Sequence, residues 1–278
     1  MSVLKPLLGI SHALIYTIAF VLCSSCGVGM PDKESQRDSI ASIRIDRFDQ
    51  LQYRYVTTCD YSALQQMSLL YPTETRTLIE DVLGIGRATD LNINATLLQF
   101  YQDSIMQQVS RDAELQYEDM SDVEHSLRSS FTTLHKLFPD LPLPSFYAQI
   151  GALQQSVIVN DTRIGICLEK YLGADYPLYI RFYTASQRAM MNRAFIVGDC
   201  LCFYLLSRYG LSMFDTREQW ERDMYIAKIQ WVANRCLSTP LYKSEELKHV
   251  EKYMRHYHNI TAQELVVSDN LSALRDIK

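Results

Sequence analysis

Residues 156–168 read SVIVNDTRIGICL, in which two apolar runs flank the polar residues Asn160-Asp161-Thr162. The runs Ser156–Val159 and Arg163–Leu168 are rich in β-branched side chains, which favour strands. Asn and Asp favour the tight turns that join two strands. The stretch therefore predicts a β-hairpin, which is the clearest strand signal in the chain.

Most of the remaining chain shows helical periodicity, with apolar residues recurring at intervals of three and four positions. The predicted helices are 61–70, 73–83, 94–109, 119–138, 189–209, 216–236, 244–256 and 261–277. Extended segments are predicted at 42–48 and 145–150. Together these patterns predict an α+β fold, a mainly helical domain with a small antiparallel sheet.

The composition is that of an ordinary globular protein, because 47% of the 278 residues are hydrophobic and 21% are charged. The formal net charge is −5, and the chain has no run of Lys and Arg of the kind that binds nucleic acid. We therefore expect no nucleic-acid partner.

The N-terminal residues have the pattern of an export signal. Lys5 precedes the apolar stretch 6–22, and the small residues Ser24 and Ser25 lie just before Cys26. This end resembles the lipobox of bacterial lipoproteins, which implies cleavage before Cys26 and lipid attachment at Cys26. An uncleaved membrane anchor and a soluble exported form are the alternatives. The apolar stretch falls short of the ~20 apolar residues that a spanning helix needs.

Three further segments carry a family resemblance. The stretch 164–176 reads IGICLEKYLGADY, the predicted helix before it ends in Leu137-Phe138-Pro139, and Ile45–Asp49 reads IDRFD. In the order in which they follow one another along the chain, these segments resemble the gliding-motility lipoprotein GldB family, and the agreement extends from Cys26 to about Asp199. The chain has Glu169 where that family mostly has aspartate, and Tyr176 where a histidine is expected.

The resemblance implies a cell-envelope lipoprotein that is linked to the motility machinery in gliding bacteria, and it implies no reaction. We expect a signal peptide at 1–25, a flexible tether at 26–42 and a single globular GldB-like domain at 43–278. The expected partners are a bacterial membrane, through acylated Cys26, and proteins of a gliding-motility or secretion-associated assembly. The expected location is the cell envelope, at a bacterial membrane, and the periplasmic face of the outer membrane is favoured.

The alternative hypothesis is an envelope hydrolase with a peptidase-like fold, a degenerate thermolysin-like metallopeptidase scaffold, and an unrecognised or degenerate active site. Such enzymes place H-E-x-x-H on a buried helix. Here the buried helical stretch offers Asp199-Cys200-Leu201-Cys202-Phe203, and no histidine of the chain has a glutamate at motif spacing. The sequence therefore predicts a non-enzymatic protein with no catalytic residue, metal site or cofactor.

Three residues are candidates for a partner-binding or a structural role: Glu169, Tyr171 and Asp199. Asp199 is the only charge between Ala194 and Leu206, on a stretch that is apolar nearly all round. A buried carboxylate needs hydrogen-bond donors or a proton. We favour a structural carboxylate bonded to an arginine or to backbone amides over a working residue. Glu169 and Tyr171 follow the second hairpin strand, and both roles remain open for them.

Five cysteines follow Cys26: Cys59, Cys167, Cys200, Cys202 and Cys236. An odd number leaves at least one of them without a partner in the same chain. We expect most of them to be small buried hydrophobic residues. A Cys59–Cys236 disulfide remains open.

We predict that Cys26 carries the lipid, because it directly follows the small residues that end the signal. Wild-type cells labelled with a fatty-acid probe should show the mark on this protein, and Cys26→Ala should abolish it. Cys23→Ala is the matched control and should keep the label. A label that persists in Cys26→Ala would contradict the assignment, and a label lost only in Cys23→Ala would move it.

Overall fold

Four short strands form one mixed sheet in the structure, a computed structural model that describes residues 42–275. The strands are β1 (Ile45–Asp46), β2 (Ser145–Gln149), β3 (Val157–Asn160) and β4 (Arg163–Cys167). Their order across the sheet is β1-β2-β4-β3. The predicted hairpin is confirmed, because β3 and β4 pair in antiparallel fashion with Val157 opposite Ile166.

The prediction of an antiparallel sheet is wrong. Strand β2 lies parallel to β1 on one side and parallel to β4 on the other, with Phe146 opposite Ile164. Residues 146–149 are all buried, as expected for a central strand that is covered on both faces. Apolar periodicity marks a strand without fixing the direction of its neighbours, so the sequence pattern left this open.

Thirteen helices surround the sheet within the described residues. They are α1 (Phe48–Thr58), α2 (Tyr61–Leu70), α3 (Pro72–Thr77, continued by the π-helical turn Leu78–Val82), α4 (Ile93–Tyr101), α5 (Ser104–Gln116), α6 (Ser121–Leu137), α7 (Pro177–Phe182), α8 (Ala185–Ala189), α9 (Ile196–Arg208), α10 (Gln219–Cys236), α11 (Glu245–His256), α12 (Ala262–Val267) and α13 (Ser272–Arg275). Short 3₁₀ turns occupy Leu168–Lys170, Arg193–Phe195 and Phe214–Thr216. The α+β class with a mainly helical composition is therefore confirmed.

Several predicted boundaries are wrong for local reasons. The predicted helix 94–109 is two helices, because the Asp103 side chain accepts hydrogen bonds from Ile105 N (2.9 Å) and Met106 N (3.3 Å) and so starts α5. The predicted helix 189–209 is interrupted before α9, where the Asn192 side chain accepts from Ala194 N. The segment predicted at 261–277 is two short helices as far as Arg275.

Helix α1 was missing from the sequence prediction, and the extended segment predicted at 42–48 is a strand of two residues only. Helix α1 escaped detection because its buried face carries the polar residues Asp49 and Gln52 beside Phe48. Gln52 donates to the Ile150 carbonyl oxygen (2.5 Å) and accepts from Ile150 N (3.0 Å), so its amide extends the hydrogen bonding of the chain beyond β2. Burying an amide with these partners costs little free energy, but its polar side chain interrupts the apolar periodicity of the buried face of α1.

The core is built on both faces of β2, because successive side chains of a strand point to opposite faces. Phe146 meets Phe131 of α6 with ring centroids 5.1 Å apart, and its neighbour Tyr147 meets Phe48 of α1 at 6.2 Å. Helix α9 packs against β3 and β4. The chain also has a close contact between strands, since a Cβ at Gly165 of β4 would lie 2.4 Å from the Tyr147 ring.

Four of the five described cysteines are buried and free, as predicted, whereas Cys59 is free and exposed. The Cys59–Cys236 disulfide is therefore absent from the structure. Residues 1–41, which contain the predicted signal, Cys26 and all but the last residue of the tether, lie outside the described residues. Within residues 42–275, none of the helices has the length and apolar character that a bilayer span requires.

Candidate functional site

The three candidate residues lie at the end of β4 and at the start of α9. After β4 the chain forms the 3₁₀ turn Leu168–Lys170, and Tyr171 follows it. The Tyr171 hydroxyl donates a hydrogen bond to Asp199 Oδ2 at 2.8 Å. The structure thus brings Tyr171 and Asp199 into direct contact, whereas the carboxyl of Glu169 bonds to the chain on the side of Gly151 and Leu153.

Asp199 is held by tyrosine hydroxyls, and not by the arginine or backbone amides that the sequence analysis favoured. Its Oδ1 accepts from the Tyr242 hydroxyl at 2.8 Å, so each carboxylate oxygen has one phenolic donor. Burial raises the pKa of the Asp199 carboxyl, and the two hydroxyl donors oppose that rise because they stabilise the ionised form. We call Asp199, Tyr171 and Tyr242 the carboxylate–tyrosine cluster.

The backbone of Tyr171 is fixed by neighbouring tyrosines. Its carbonyl oxygen accepts hydrogen bonds from the Tyr117 hydroxyl (2.6 Å) and from Gln116 Nε2 (3.2 Å). The Tyr179 hydroxyl donates to the carbonyl oxygen of Glu169 and accepts from Leu172 N (3.1 Å). These buried bonds fix the turn after β4. The hydrogen bond from Tyr171 to Asp199 therefore costs little additional conformational entropy.

Tyr242 is the member of the cluster that sequence reasoning missed. It lies between α10 and α11, and Asn234 fixes its backbone by donating to the Tyr242 carbonyl oxygen (2.9 Å) and accepting from Tyr242 N (3.1 Å). A Cβ at Gly198 would lie 2.8 Å from the Tyr242 hydroxyl oxygen, so glycine leaves room for this ring. No local pattern marks a tyrosine 43 positions away from its partner.

A surface recess of about 190 Å³ opens beside the cluster. Its lining residues are Ser156, Lys170, Tyr171, Tyr183, Gln187, Met190, Met191 and Asp199. Lys170 Nζ is 4.5 Å from the centroid of the Tyr183 ring and donates to the Leu153 carbonyl oxygen (3.0 Å) and the Tyr183 hydroxyl (3.2 Å). The recess, which we call the Asp199 recess, thus combines a carboxylate, an ammonium group and two methionines.

The chemistry of the Asp199 recess suits the binding of one polar side chain. A carboxylate has about four acceptor positions, so Asp199 can take a further donor in addition to its two tyrosines. Met190 and Met191 offer adaptable apolar surface at the same opening. A group with a hydrogen-bond donor on an apolar stem therefore matches the recess.

Glu169 is fully buried and only partly bonded. Its Oε1 accepts from Leu153 N at 3.3 Å and faces Gly151, where a Cβ would lie 2.7 Å from that oxygen. Its Oε2 has no hydrogen-bond partner among the described residues. Burial raises the pKa of Glu169 to about 7, and the backbone donors and Lys170 offset only part of that effect. Near neutral pH a large fraction of Glu169 is therefore protonated.

Residues 42–275 contain no group of three or more His, Cys, Asp or Glu side chains placed to hold a metal ion. The fully buried thiols of Cys167 and Cys200 have pKa values raised by burial, so they stay protonated. Neither Glu169 nor the carboxylate–tyrosine cluster is part of a ligand set within this part of the chain.

The architecture is that of a mainly helical α+β domain with a carboxylate–tyrosine cluster beneath a surface recess. The family model of the gliding motility protein GldB matches residues 31–240, so the chain belongs to the GldB family. The match confirms the resemblance and extends past Asp199 to residue 240. Comparison with curated proteins and with solved structures gave no match. Neither the fold nor these comparisons support a thermolysin-like scaffold.

We predict that Glu169 makes stability fall as pH rises. The unfolded carboxyl releases its proton near its ordinary pKa of 4.5, whereas the folded one keeps it up to about pH 7. Between these values the unfolded state binds fewer protons, so unfolding becomes easier with rising pH, by about 3 kcal/mol in total. Glu169→Gln should match the wild type at pH 5 and be more stable at pH 8 in urea unfolding.

The exposed Glu118 gives the control for this experiment, because Glu118→Gln should keep the pH dependence of the wild type. If the unfolding free energy of Glu169→Gln changes between pH 5 and pH 8 as much as that of the wild type, Glu169 does not titrate in this range.

We also predict that the carboxylate–tyrosine cluster stabilises the fold. Asp199→Ala leaves the buried hydroxyls of Tyr171 and Tyr242 without an acceptor, which should cost about 1–3 kcal/mol of unfolding free energy. Asp199→Asn keeps one acceptor and should cost less. Denaturant unfolding measures both. An Asp199→Ala variant as stable as the wild type would contradict this stabilising role, whatever its effect on cellular function.

Proposed function

We propose that this GldB-family chain is a non-enzymatic, lipid-anchored lipoprotein that binds a protein of a gliding-motility or secretion-associated envelope assembly. The family match over residues 31–240 is the observation that carries the proposal. The anchor is the lipid at Cys26, and the folded domain lies at the periplasmic face of the outer membrane. The partner inserts a polar side chain into the Asp199 recess.

The bonding of the carboxylate–tyrosine cluster favours binding over catalysis. A general base must lie within hydrogen-bond reach of the proton it takes, and a nucleophile needs an adjacent base. Both oxygens of Asp199 already accept from tyrosine hydroxyls, and burial raises the pKa of the Tyr171 hydroxyl. Among the described residues that line the recess, none is a histidine or a cysteine. These features give the hydrolase alternative no support.

The rim of the Asp199 recess has the properties of a contact surface. Met190 is 45% exposed, and Gln187 beside it is also exposed. Methionine adapts to the shape of a partner, and a buried polar contact at the centre of a patch adds specificity. Tyr171 and Asp199 then act as the fixed floor, and the rim residues make the adjustable contacts.

A photo-cross-linking experiment in intact cells tests the proposal. A photoreactive residue at Met190 should form a discrete covalent adduct with one envelope protein. The same residue at Met213, which is 75% exposed and does not line the recess, is the matched control and should form no such adduct. Gln187→Arg, which fills the rim with a bulky cation, should weaken the adduct at least severalfold.

Two outcomes would contradict the proposal. Equal adducts at Met190 and Met213, or none at Met190 while the protein is abundant and folded, would remove the recess as the contact site. Turnover of an envelope substrate by the purified chain would refute the non-enzymatic role.

A further inference from the structure

A second cavity, of about 280 Å³, lies between the C-terminal half of the family-matched segment and the helices that follow it. Its lining residues are Lys228, Tyr253, Ile260, Glu264, Leu265, Ser268, Asn270 and Leu274. Lys228 belongs to α10, and the other lining residues lie beyond residue 240, where the GldB match ends. We call this the Lys228 cavity. The family match therefore covers only one of its walls.

Lys228 is a buried cation with one hydrogen-bond partner. Its side chain is 1% exposed, and Nζ donates to the Ser268 carbonyl oxygen at 2.6 Å. An ammonium group has three donors, so two remain for another acceptor. Nζ also lies 5.7 Å from the centroid of the Tyr225 ring. Among the described residues, no carboxylate forms an ion pair with Lys228.

The acidic groups near Lys228 are bonded elsewhere. Asp269 Oδ2 accepts from the Ser212 hydroxyl at 2.8 Å. Glu264 lines the cavity, but its Oε2 accepts from Thr261 N (2.7 Å) and from the Thr261 hydroxyl (2.9 Å) at the start of α12. Thr261 thereby lowers the pKa of Glu264 and holds its charge at the helix end. Neither carboxylate forms an ion pair with Lys228 in the described part of the chain, although the charge of Asp269 raises the pKa of the ammonium group.

A buried charge without an ion-pair partner is unfavourable. Lys228 has no such partner among residues 42–275, so its position beside a cavity points to a ligand that supplies the opposite charge. Burial lowers the pKa of Lys228 to about 8, and Asp269 opposes this only in part. At neutral pH the side chain is still mostly protonated. An anion in the cavity would find a donor with two free N–H groups that is already positioned by α10.

We propose that the Lys228 cavity binds the carboxylate of a ligand with an apolar body. One buried ammonium group matches one negative charge, and the Asn270 amide at the same cavity can donate to the second oxygen. Ile260, Leu265 and Leu274 supply apolar wall for the rest of the ligand. A free carboxylic acid and the C-terminal carboxylate of a peptide share this chemistry.

Titration of the purified full chain with hexanoate, followed by NMR chemical shifts, tests this proposal. Hexanoate should bind saturably, and the isosteric neutral hexanamide should not. Binding should weaken about tenfold for each pH unit above pH 8, because the ammonium group loses its proton there. Peptides that end in Leu-Leu, with a free carboxylate or an amide, form the second arm, and only the free acid should bind.

Variants locate the binding. Lys228→Met keeps the length of the side chain without its charge and should weaken hexanoate binding at least tenfold. Lys252→Met, at an exposed lysine of α11, should leave binding unchanged. If the peptide binds more tightly than hexanoate, the natural carboxylate is a chain terminus. If hexanoate binds more tightly, it is a small carboxylic acid.

Equal binding of hexanamide and hexanoate would overturn the proposal. Binding of both carboxylates by Lys228→Met as tightly as by the wild type would overturn it as well. If Lys228→Met does not fold, the comparison of hexanoate with hexanamide on the wild type decides the question. The absence of saturable binding of both carboxylates to the wild type would also refute it.

Discussion

The burial of strand β2 on both faces is the constraint on which the rest of the structure depends. Phe146 packs against α6 on one face and Tyr147 against α1 on the other, so β2 cannot lie at a solvated edge. It takes the centre of the sheet, with β4 beside it in parallel register. A strand in that position needs backbone partners on both sides, and the hairpin β3–β4 supplies one of them. The close contact of Gly165 with Tyr147 fixes the register between β2 and β4.

This placement of β4 determines where the candidate residues lie. The strand ends against α9, so the turn that follows carries Tyr171 to the first turn of that helix, where Asp199 lies. Glu169, two residues earlier, faces Gly151 in the protein interior. Two residues close together in one motif thus have different environments. Tyr171 belongs to a cluster beside a surface recess, whereas the Glu169 carboxyl is fully buried. Burial raises the pKa of both carboxyls, but two tyrosine hydroxyls donate to Asp199, whereas Glu169 Oε2 has no donor among the described residues.

Buried polar groups recur throughout the domain, and most of them are bonded to tyrosine hydroxyls or backbone carbonyls. Gln52, Tyr117, Tyr179 and Asp199 follow this rule. Glu169 Oε2 has no partner among the described residues, and Lys228 Nζ donates one bond, to the Ser268 carbonyl oxygen, with two further N–H groups left over. Unsatisfied buried groups destabilise a fold. For Glu169 a proton reduces this cost, whereas Lys228 borders a cavity that can admit a ligand.

The sequence by itself determined the mainly helical α+β class, the hairpin at residues 156–168, helix α2 and the GldB resemblance, because each is encoded by contiguous residues. Only the tertiary structure decided the mixed sheet, the polar-faced helix α1 and the union of Tyr171, Asp199 and Tyr242. The position of Lys228 beside its cavity, with no ion-pair partner among the described residues, was decided in the same way. Local periodicity reports which side of an element is buried. The partner of a buried polar group is set by packing between segments that are far apart in the chain, and no local pattern records that packing.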